Sequence, residues 1–333
     1  MTPSTPPFPP EWMPQRAIWV GWPRLADEWG DAFESARREV AHFVQRLSTR
    51  LPLRVAIGDD AAERAALAHG IAPEMLRRVP TGDIWLRDTG PVFTQSSGGE
   101  RLAKCFEFNG WGGKFDMPGD RDTSRAIADV EDARMHTHSF ILEGGAVDHD
   151  GSGTVLTTRE CLLNPNRNGW READAEMALE TSLGARRIIW LERGLLNDHT
   201  DGHVDNVARF IGPCRVVCQR PVSADEAQAG RLAEVEDALR AAGLDVETIG
   251  SPGDVADPGG EIAPASHMNF VFANGEILFP VYDQALGEAA AAQLEAICPG
   301  WRVVPIPSRA ILAGGGSFHC MTCNVPANEV HQT

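Results

Sequence analysis

The sequence has no excess of basic residues, and this shortage limits the partners that the protein can have. Its 333 residues include 30 lysines and arginines against 47 acidic residues, which gives a formal net charge of −17. Nucleic acids and anionic membranes bind basic surfaces, so neither is expected as a partner. A negative charge also keeps a protein in solution, but it attracts small cations as well.

The sequence also lacks any run of about 18 apolar residues, the length that a membrane-spanning helix requires. Residues 1–10 are rich in proline and threonine and have no apolar stretch behind basic residues, so we expect a flexible segment and no signal peptide. The seven cysteines are an odd number in a chain without an export signal. This usage is typical of reduced thiols in a cytoplasmic protein.

No linker rich in serine, glycine or proline divides the chain, so we expect residues 1–333 to form a single domain. Helical periodicity is present at 31–47, 60–69, 173–183, 224–242 and 287–297, and strand-like segments rich in β-branched and aromatic residues lie between these stretches. The sequence therefore predicts an α/β fold. It does not decide whether the protein is a homo-oligomer.

Polar residues interrupt this pattern at recurrent positions, at intervals of roughly 50 to 65 residues. Such spacing is typical of repeated units that each bring a strand end to a common centre. A closed, radially repeated α/β architecture with five units is therefore expected. The five positions are Asp88, Glu143, His203, Asn269 and Cys320.

Two of these interruptions suggest chemistry. If a strand begins at Val204, His203 and Asp205 project from one face, and an imidazole beside a carboxylate suits proton transfer. A solvated turn is the alternative for this stretch. Residues 83–93 read as a strand in which Arg87 and Asp88 point to opposite faces.

One cysteine, with a histidine and carboxylates elsewhere in the chain, is the pattern of a thiol nucleophile. Cys320 is the best candidate because three glycines precede it and allow close approach to its backbone. Cys320 and Cys323 could instead form a redox pair or half of a zinc site.

A metal-dependent hydrolase is the alternative enzyme class. Asp198, His199, His203 and Asp205 have the residue types of a metal-ligand cluster. His136 and His138 could contribute further ligands.

Five motifs of the sequence resemble those of the agmatine deiminase family, also described as bacterial-type peptidylarginine deiminases. The resemblance runs from Trp12 to Pro326. It implies the fold of the guanidine-modifying enzymes, a five-bladed pseudo-symmetric α/β propeller of ββαβ-type units around a central active site, in agreement with the spacing above. The motifs are Trp85 to Pro91, Phe108 to Lys114, Leu142 to Gly145, Thr200 to Asn206 and Gly314 to Cys320.

The same resemblance implies a role for each matching residue. Cys320 attacks the guanidinium carbon, and Asp88 and Asp205 hold the guanidinium nitrogens. His203 acts as acid and base, and Glu143 orients it. No metal or organic cofactor is implied.

The resemblance further implies substrate contacts from Trp85, Trp111, Gly315 and His267. His267 stands where the family is expected to have a tyrosine, and Thr322-Cys323-Asn324 departs from the usual glutamine-bearing continuation.

The implied substrate is a small cationic guanidino compound. Agmatine and water, giving N-carbamoylputrescine and ammonia, are favoured over free arginine or peptidyl arginine. Arginine carries a carboxylate that needs a partner in an acidic protein, and Arg87, Arg167 and Arg209 lie near the motifs.

Overall fold

The computed structural model describes residues 8–96, 98–257 and 259–327. The strands in this part of the chain are β1 (Gln15–Gly21), β2 (Leu53–Ile57), β3 (Leu76–Arg78), β4 (Val92–Gln95), β5 (Arg101–Glu107), β6 (Arg134–Ile141), β7 (Asp148–His149), β8 (Thr154–Thr158), β9 (Arg187–Leu191), β10 (Ala208–Gly212), β11 (Arg215–Arg220), β12 (Asp245–Gly250), β13 (Val271–Ala273), β14 (Glu276–Val281), β15 (Arg302–Pro307) and β16 (Thr322–Pro326).

The helices are α1 (Ala26–Trp29), α2 (Phe33–Leu47), α3 (Asp60–Ala68), α4 (Leu86–Thr89), α5 (Gly110–Gly113), α6 (Asp120–Val130), α7 (Arg159–Leu162), α8 (Glu172–Leu183), α9 (Ala229–Ala241), α10 (Gln284–Ile297) and α11 (Arg309–Leu312). Among the described residues, no helix has the length and apolar character needed to cross a membrane.

The described strands form five separate sheets. Four of them have the orders β4-β5-β6, β7-β8-β9, β10-β11-β12 and β13-β14-β15. In each sheet the first two strands are antiparallel and the last two are parallel. A helix spans each parallel connection, as such crossovers require. The repeating unit is therefore ββαβ, and the molecule is the expected five-bladed α/β propeller.

The fifth sheet joins the two ends of the chain, with the order β16-β1-β2-β3. β16 is antiparallel to β1 and pairs Cys323 with Trp19, and β1 is parallel to β2. The last strand thus occupies the place that the first strand holds in the other blades. Cys320 lies two residues before β16, so the closure of the ring holds this residue in place.

Local sequence signals account for several elements. α2 buries Val40, Phe43 and Val44 at helical spacing, so one apolar face covers the sheet of β1. The side chain of Asp59 caps α3 by accepting a hydrogen bond from the backbone N–H of Ala62 at 2.8 Å. Asn274 and Gly275 both have positive φ, 44° and 95°, which matches the two-residue turn between β13 and β14.

Three expectations about secondary structure are wrong, two of them at the polar interruptions. Residues 86–89 form the one-turn helix α4 and not a strand, because the chain turns at the centre of the ring. His203 precedes a 3₁₀ turn at Val204–Asn206, and the strand begins only at Ala208. α9 begins at Ala229, after the helix start predicted at residue 224.

Most of the N-terminal segment expected to be flexible lies outside the described residues, which begin at residue 8. Pro9 and Pro10 are buried, and the ring of Phe8 stacks on His149. Residues 8–10 therefore pack against the folded chain, and Glu11 follows in the same stretch. The flexibility of residues 1–10 stays a prediction.

Candidate active site

Cys320 lies between the glycine turn at 314–316 and β16 and is only 5% exposed. The side chain of Asn269 holds it twice: Oδ1 accepts a hydrogen bond from the backbone N–H of Cys320 at 3.1 Å, and Nδ2 donates to Sγ at 3.1 Å. Burial and the charges of Asp205 and Asp88 raise the pKa of the Cys320 thiol well above its usual value. A cation next to the sulfur would reverse this shift.

Asp88 lies in α4, and both of its carboxylate oxygens accept hydrogen bonds. Trp111 Nε1 donates to Oδ2 at 2.9 Å, and the backbone N–H of Gly145 donates to Oδ1 at 3.0 Å. The backbone N–H of Arg87 donates to the carbonyl of Cys320 at 3.0 Å, which joins α4 to the cysteine segment. Burial and the nearby charge of Asp205 raise the pKa of Asp88. The position of this carboxylate is therefore fixed, and its environment favours a positive ligand.

His203 is completely buried, and Nδ1 lies 3.6 Å from Asp88 Oδ1. Neither ring nitrogen hydrogen-bonds to another described residue. Burial lowers the pKa of His203 to about 3, so the ring is neutral near pH 7. A neutral imidazole with an unengaged nitrogen can accept a proton from a nearby thiol or water.

Asp205 lies in the 3₁₀ turn that follows His203 and is also completely buried. Its Oδ2 is 2.7 Å from His319 Nδ1 and 3.8 Å from Cys320 Sγ. Burial alone would raise the pKa of Asp205, but the hydrogen bond and charge of His319 hold it below its usual value. Cys320, His203, Asp88 and Asp205, separated widely in sequence, therefore meet around one point.

A cavity of about 120 Å³ reaches two of these four residues, Asp88 and Cys320, while His203 and Asp205 do not line it. Asp88 and Cys320 lie at its buried end, and Trp85, Trp111 and Gly315 line its walls as the sequence motifs suggested. The remaining lining residues are Glu28, Asp83, Phe115, Met117, His199, Thr200, Ala313, Gly314 and Gly316.

A family model described as Porphyromonas-type peptidyl-arginine deiminase matches residues 7–326. This chain belongs to that family. The deiminase fold and the order of the five motifs are thus explained by common ancestry, and the resemblance seen in the sequence is confirmed.

Individual relatives of this deiminase family agree in sequence and in structure. An agmatine deiminase of Ectopseudomonas mendocina is 35% identical over 97% of this chain and 96% of its own length. One of Pseudomonas fluorescens is 34% identical over 96% and 95%. The solved structure of an agmatine deiminase of Enterococcus faecalis superposes with a TM-score of 0.92 at 27% identity, covering 99% of each chain.

In this member of the deiminase family Glu143 has a partner that sequence motifs did not indicate. Arg167 Nε lies 2.9 and 3.1 Å from the two carboxylate oxygens, and Arg167 also contacts Asp201 at 2.7 Å. Burial raises the pKa of Glu143, and Arg167 opposes that rise. Glu143 comes within 4.8 Å of a His203 ring nitrogen without a hydrogen bond to it. The orientation of His203 by Glu143 therefore stays a prediction.

The structure does not assemble the metal-ligand cluster predicted as an alternative. Among the described residues, the His, Cys, Asp and Glu side chains close enough to share an ion are Glu143, Cys161 and His203, and Arg167 places a positive charge against that group. Of the predicted set, Asp198 accepts hydrogen bonds from Thr200 and Asn206, His199 lies at the cavity wall, and His136 and His138 lie on β6.

The structure does not place His267 among the described residues that line the cavity, and its contact with the substrate stays a prediction. Its ring is completely buried, stacks on Phe279 and lies 2.9 Å from the carbonyl of Pro280 through Nδ1, away from the cavity. Cys323 is also a core residue, with Sγ 3.3 Å from the carbonyl of Pro91.

Several residues of the site were missed by sequence reasoning. Asn269 marked one of the five repeats but had no assigned role. His319 directly precedes Cys320, which was the available signal for it. Glu11, Glu28 and Asp83 lie outside every motif with an assigned role, so the sequence contained no signal for them.

Proposed function

We propose that this deiminase hydrolyses agmatine to N-carbamoylputrescine and ammonia through a covalent intermediate on Cys320. The relatives named as agmatine deiminases support the reaction class and the substrate. The observation that carries the proposal is the cavity itself. A thiol and a carboxylate lie at its buried end, where a guanidinium would bind, and two further carboxylates lie along its wall.

The wall carboxylates suit the second positive charge of agmatine. Glu28 is exposed at the cavity rim and Asp83 is buried in its wall, and no arginine or lysine is among the described residues that line the cavity. A primary amine gains a carboxylate partner here, whereas the carboxylate of arginine gains none. Leaving that carboxylate unpaired costs about 3 kcal/mol or more, which corresponds to roughly a hundredfold in kcat/KM.

The three arginines that could have received a substrate carboxylate are engaged elsewhere. Arg87 contacts Glu11 at 2.7 Å, Arg209 also contacts Glu11 at 2.6 Å, and Arg167 is bound to Glu143. None of the three lines the cavity. This arrangement supports agmatine over free arginine.

Substrate binding prepares the nucleophile in the proposed mechanism. Because the pKa values of Cys320 and Asp88 are raised, a cation that enters the site favours the ionised form of both groups. A guanidinium between Asp88 and Asp205 stabilises both the carboxylates and a thiolate, because its charge is delocalised over the plane that faces them. The thiol proton passes to neutral His203.

The first half-reaction forms a carbon–sulfur bond and breaks a carbon–nitrogen bond. The Cys320 thiolate attacks the guanidinium carbon, and the proton held by His203 moves to one amino group of the tetrahedral adduct. That group leaves as ammonia. The product on the enzyme is a cationic amidino-thioether.

Water completes the reaction. His203, neutral again, accepts a proton as water attacks the amidino carbon, and collapse of the adduct expels the Cys320 sulfur. The sulfur regains a proton and the ureido product forms. The overall stoichiometry is one guanidinium and one water to one ureido group and one ammonium ion.

The substrate is tested by parallel kinetics with agmatine, arginine and a blocked arginyl peptide at one pH and ionic strength. We expect ammonia and N-carbamoylputrescine from agmatine and a kcat/KM for the other two that is lower by roughly a hundredfold. Equal or faster turnover of arginine or the peptide would contradict agmatine as substrate and leave deimination intact.

The nucleophile is tested with two cysteine variants that share a segment of the chain. Cys320→Ser should abolish turnover, while Cys323→Ser should largely retain it because the serine hydroxyl can still donate to Pro91. A mass-labelled adduct trapped on Cys323, or full activity of Cys320→Ser, would show that the assignment is wrong.

A further inference from the structure

A chain of polar contacts runs from the N-terminal segment to Asp205. Asp205 Oδ2 lies 2.7 Å from His319 Nδ1, and His319 Nε2 lies 2.9 Å from Glu11 Oε1. Glu11 precedes β1 and His319 precedes β16, so opposite ends of the chain supply the two residues. Neither lines the substrate cavity.

The carboxylates of Asp205 and Glu11 lie on either side of the His319 ring, and each contacts a different ring nitrogen. A ring with a proton on each nitrogen donates one hydrogen bond to Asp205 and one to Glu11. A ring with a single proton would direct a lone pair at one of the two carboxylates. The two short contacts therefore place one ring nitrogen of His319 against each carboxylate.

Glu11 is itself fixed as an anion. Arg87 Nη1 lies 2.7 Å from its Oε1, and Arg209 Nη2 lies 2.6 Å from its Oε2. Burial raises the pKa of Glu11, but Arg87, His319 and Arg209 together hold it well below the usual value. His319 therefore has a permanent negative partner on the side away from the active site.

The two oxygens of Asp205 differ in their hydrogen bonds. Asp205 Oδ1 is buried and hydrogen-bonds to no described residue, while Oδ2 is held by His319. The titratable and charged groups around Asp205 come from several elements: His319 and Cys320 from the segment before β16, His203 and Asp198 from its own segment, Asp88 from α4, and Arg209 from β10. Among its partners, His319 alone makes a hydrogen bond below 3 Å to this carboxylate.

We propose that His319 and Glu11 are positioning residues of the deiminase: Glu11 orients His319, and His319 holds Asp205 with Oδ1 directed to the guanidinium. The proposal rests on the proposed function in assigning Asp205 to the substrate guanidinium. It also gives the N-terminal segment, which lies outside the repeating ββαβ units, a part in catalysis.

Two substitutions of His319 separate its two contacts. The amide nitrogen of asparagine reaches the position of Nδ1 and keeps the hydrogen bond to Asp205, whereas that of glutamine reaches the position of Nε2 and keeps the one to Glu11. His319→Gln should lower kcat/KM for agmatine by about a hundredfold and His319→Asn by about tenfold. Equal losses, or a larger loss for asparagine, would overturn the proposal.

The pH profile distinguishes positioning from a merely structural role. Without His319, burial of Asp205 is less opposed, so this carboxylate is protonated at higher pH. With butylguanidine, a guanidine without the amine that Asp83 would bind, the acid limb of kcat/KM should move upward by about one pH unit or more in His319→Gln, and by less in Glu11→Gln. Uniform loss at every pH, with an unmoved limb, would contradict the proposal.

Asp148 provides the matched control in the same buried cluster. It lies 3.4 Å from Arg209 Nε but contacts neither His319 nor Asp205. Asp148→Asn should leave the acid limb where it is or move it down. If Asp148→Asn moved the acid limb upward as far as Glu11→Gln does, loss of any negative charge in the cluster would be enough to shift the limb. That result would overturn the proposal.

A double substitution tests whether Glu11 acts through His319. Because the effect of Glu11 requires the imidazole, Glu11→Gln/His319→Gln should be no slower than His319→Gln alone. If the losses of kcat/KM in the two single variants added up in the double variant, Glu11 would not act through His319.

The wild-type protein separates failure of this proposal from failure of the proposed function. Absence of agmatine turnover by the wild type would refute the function only.

Calorimetry with guanidinium chloride at non-denaturing concentrations then compares Cys320→Ser with Cys320→Ser/His319→Gln. Weaker binding by the double variant supports the positioning role, and unchanged affinity overturns it.

Discussion

At the scale of single residues, the site depends on close packing around Gly145. The sequence motif includes this glycine, but only the structure shows why a glycine is needed there. A Cβ on Gly145 would lie 2.6 Å from His203 Nδ1, 2.9 Å from Asp88 Oδ1 and 3.1 Å from Asp205 Oδ2. The first two separations are shorter than any normal contact of a methyl group. Three polar side chains can therefore converge because this position has no side chain.

Gly145→Ala should displace these side chains and lower kcat/KM by roughly a hundredfold, since small misplacements in an active site have effects of this size. Steady-state kinetics measures the loss, and circular dichroism checks that the fold persists. Gly212→Ala is the control because its Cβ would lie 3.7 Å from the nearest atom, Arg215 Cβ. Activity of Gly145→Ala close to that of the control would contradict this account of the packing.

The environment of Asp83 leads us to expect a pH dependence of kcat/KM that occurs only with substrates carrying an amine. Burial, with the charges of Asp120 and Glu28 nearby, raises the pKa of Asp83 to about 7 against the hydrogen bond from Trp29. The group is therefore protonated below about pH 7 and an anion above it. Because a cationic amine needs the anion, kcat/KM for agmatine should fall as the pH drops through 7.

The comparison substrate is butylguanidine, which has the guanidine but no amine. Its kcat/KM should lack this limb near pH 7, and Asp83→Asn should remove the limb for agmatine as well. The same limb for both substrates would mean that a group at the guanidinium end causes it.

At the scale of elements, short irregular segments form most of the cavity, and the regular strands only support them. The segment around α5 bends sharply, with a φ of 52° at Trp111 and positive φ at Gly112 and Gly113. This bend directs the Trp111 indole N–H to Asp88. Lys114 Nζ then binds Asp201 Oδ1 and the carbonyl of His199, which joins the α5 segment to the segment that precedes His203.

Lys114→Met should loosen these two cavity walls from each other. We expect KM for agmatine to rise several-fold with kcat changed less, because the variant loses ordering of the binding walls and keeps the reacting groups. Arg121→Met removes an exposed ion pair with Asp116 in the next part of the chain and serves as the control. A larger effect on kcat than on KM would place Lys114 in the chemical step instead.

At the scale of the whole molecule, five blades place five chain segments around one centre, and the pairing of β16 with β1 closes the ring. The spacing of the polar interruptions predicted five units around a centre, and the resemblance to the deiminase family implied the propeller of ββαβ-type units. Local patterns did not predict α4 or the 3₁₀ turn at His203, since strand-like residues at the centre are bent by contacts with other blades. The single-domain reading stays a prediction.

The sequence by itself determined most of the order of elements through its periodicity, and five motifs that resemble a known family identified that family and the four residues that meet at the centre. Periodicity and motifs are properties of neighbouring residues, so the chain alone contains them. Only the tertiary structure decided which residues join them. Glu11 reaches His319 across almost the whole chain length, Asp83 enters the cavity wall, and His267 packs into the core instead. These placements depend on where each side chain points after the ring of blades has closed. The spacing of residues along the chain does not predict that direction.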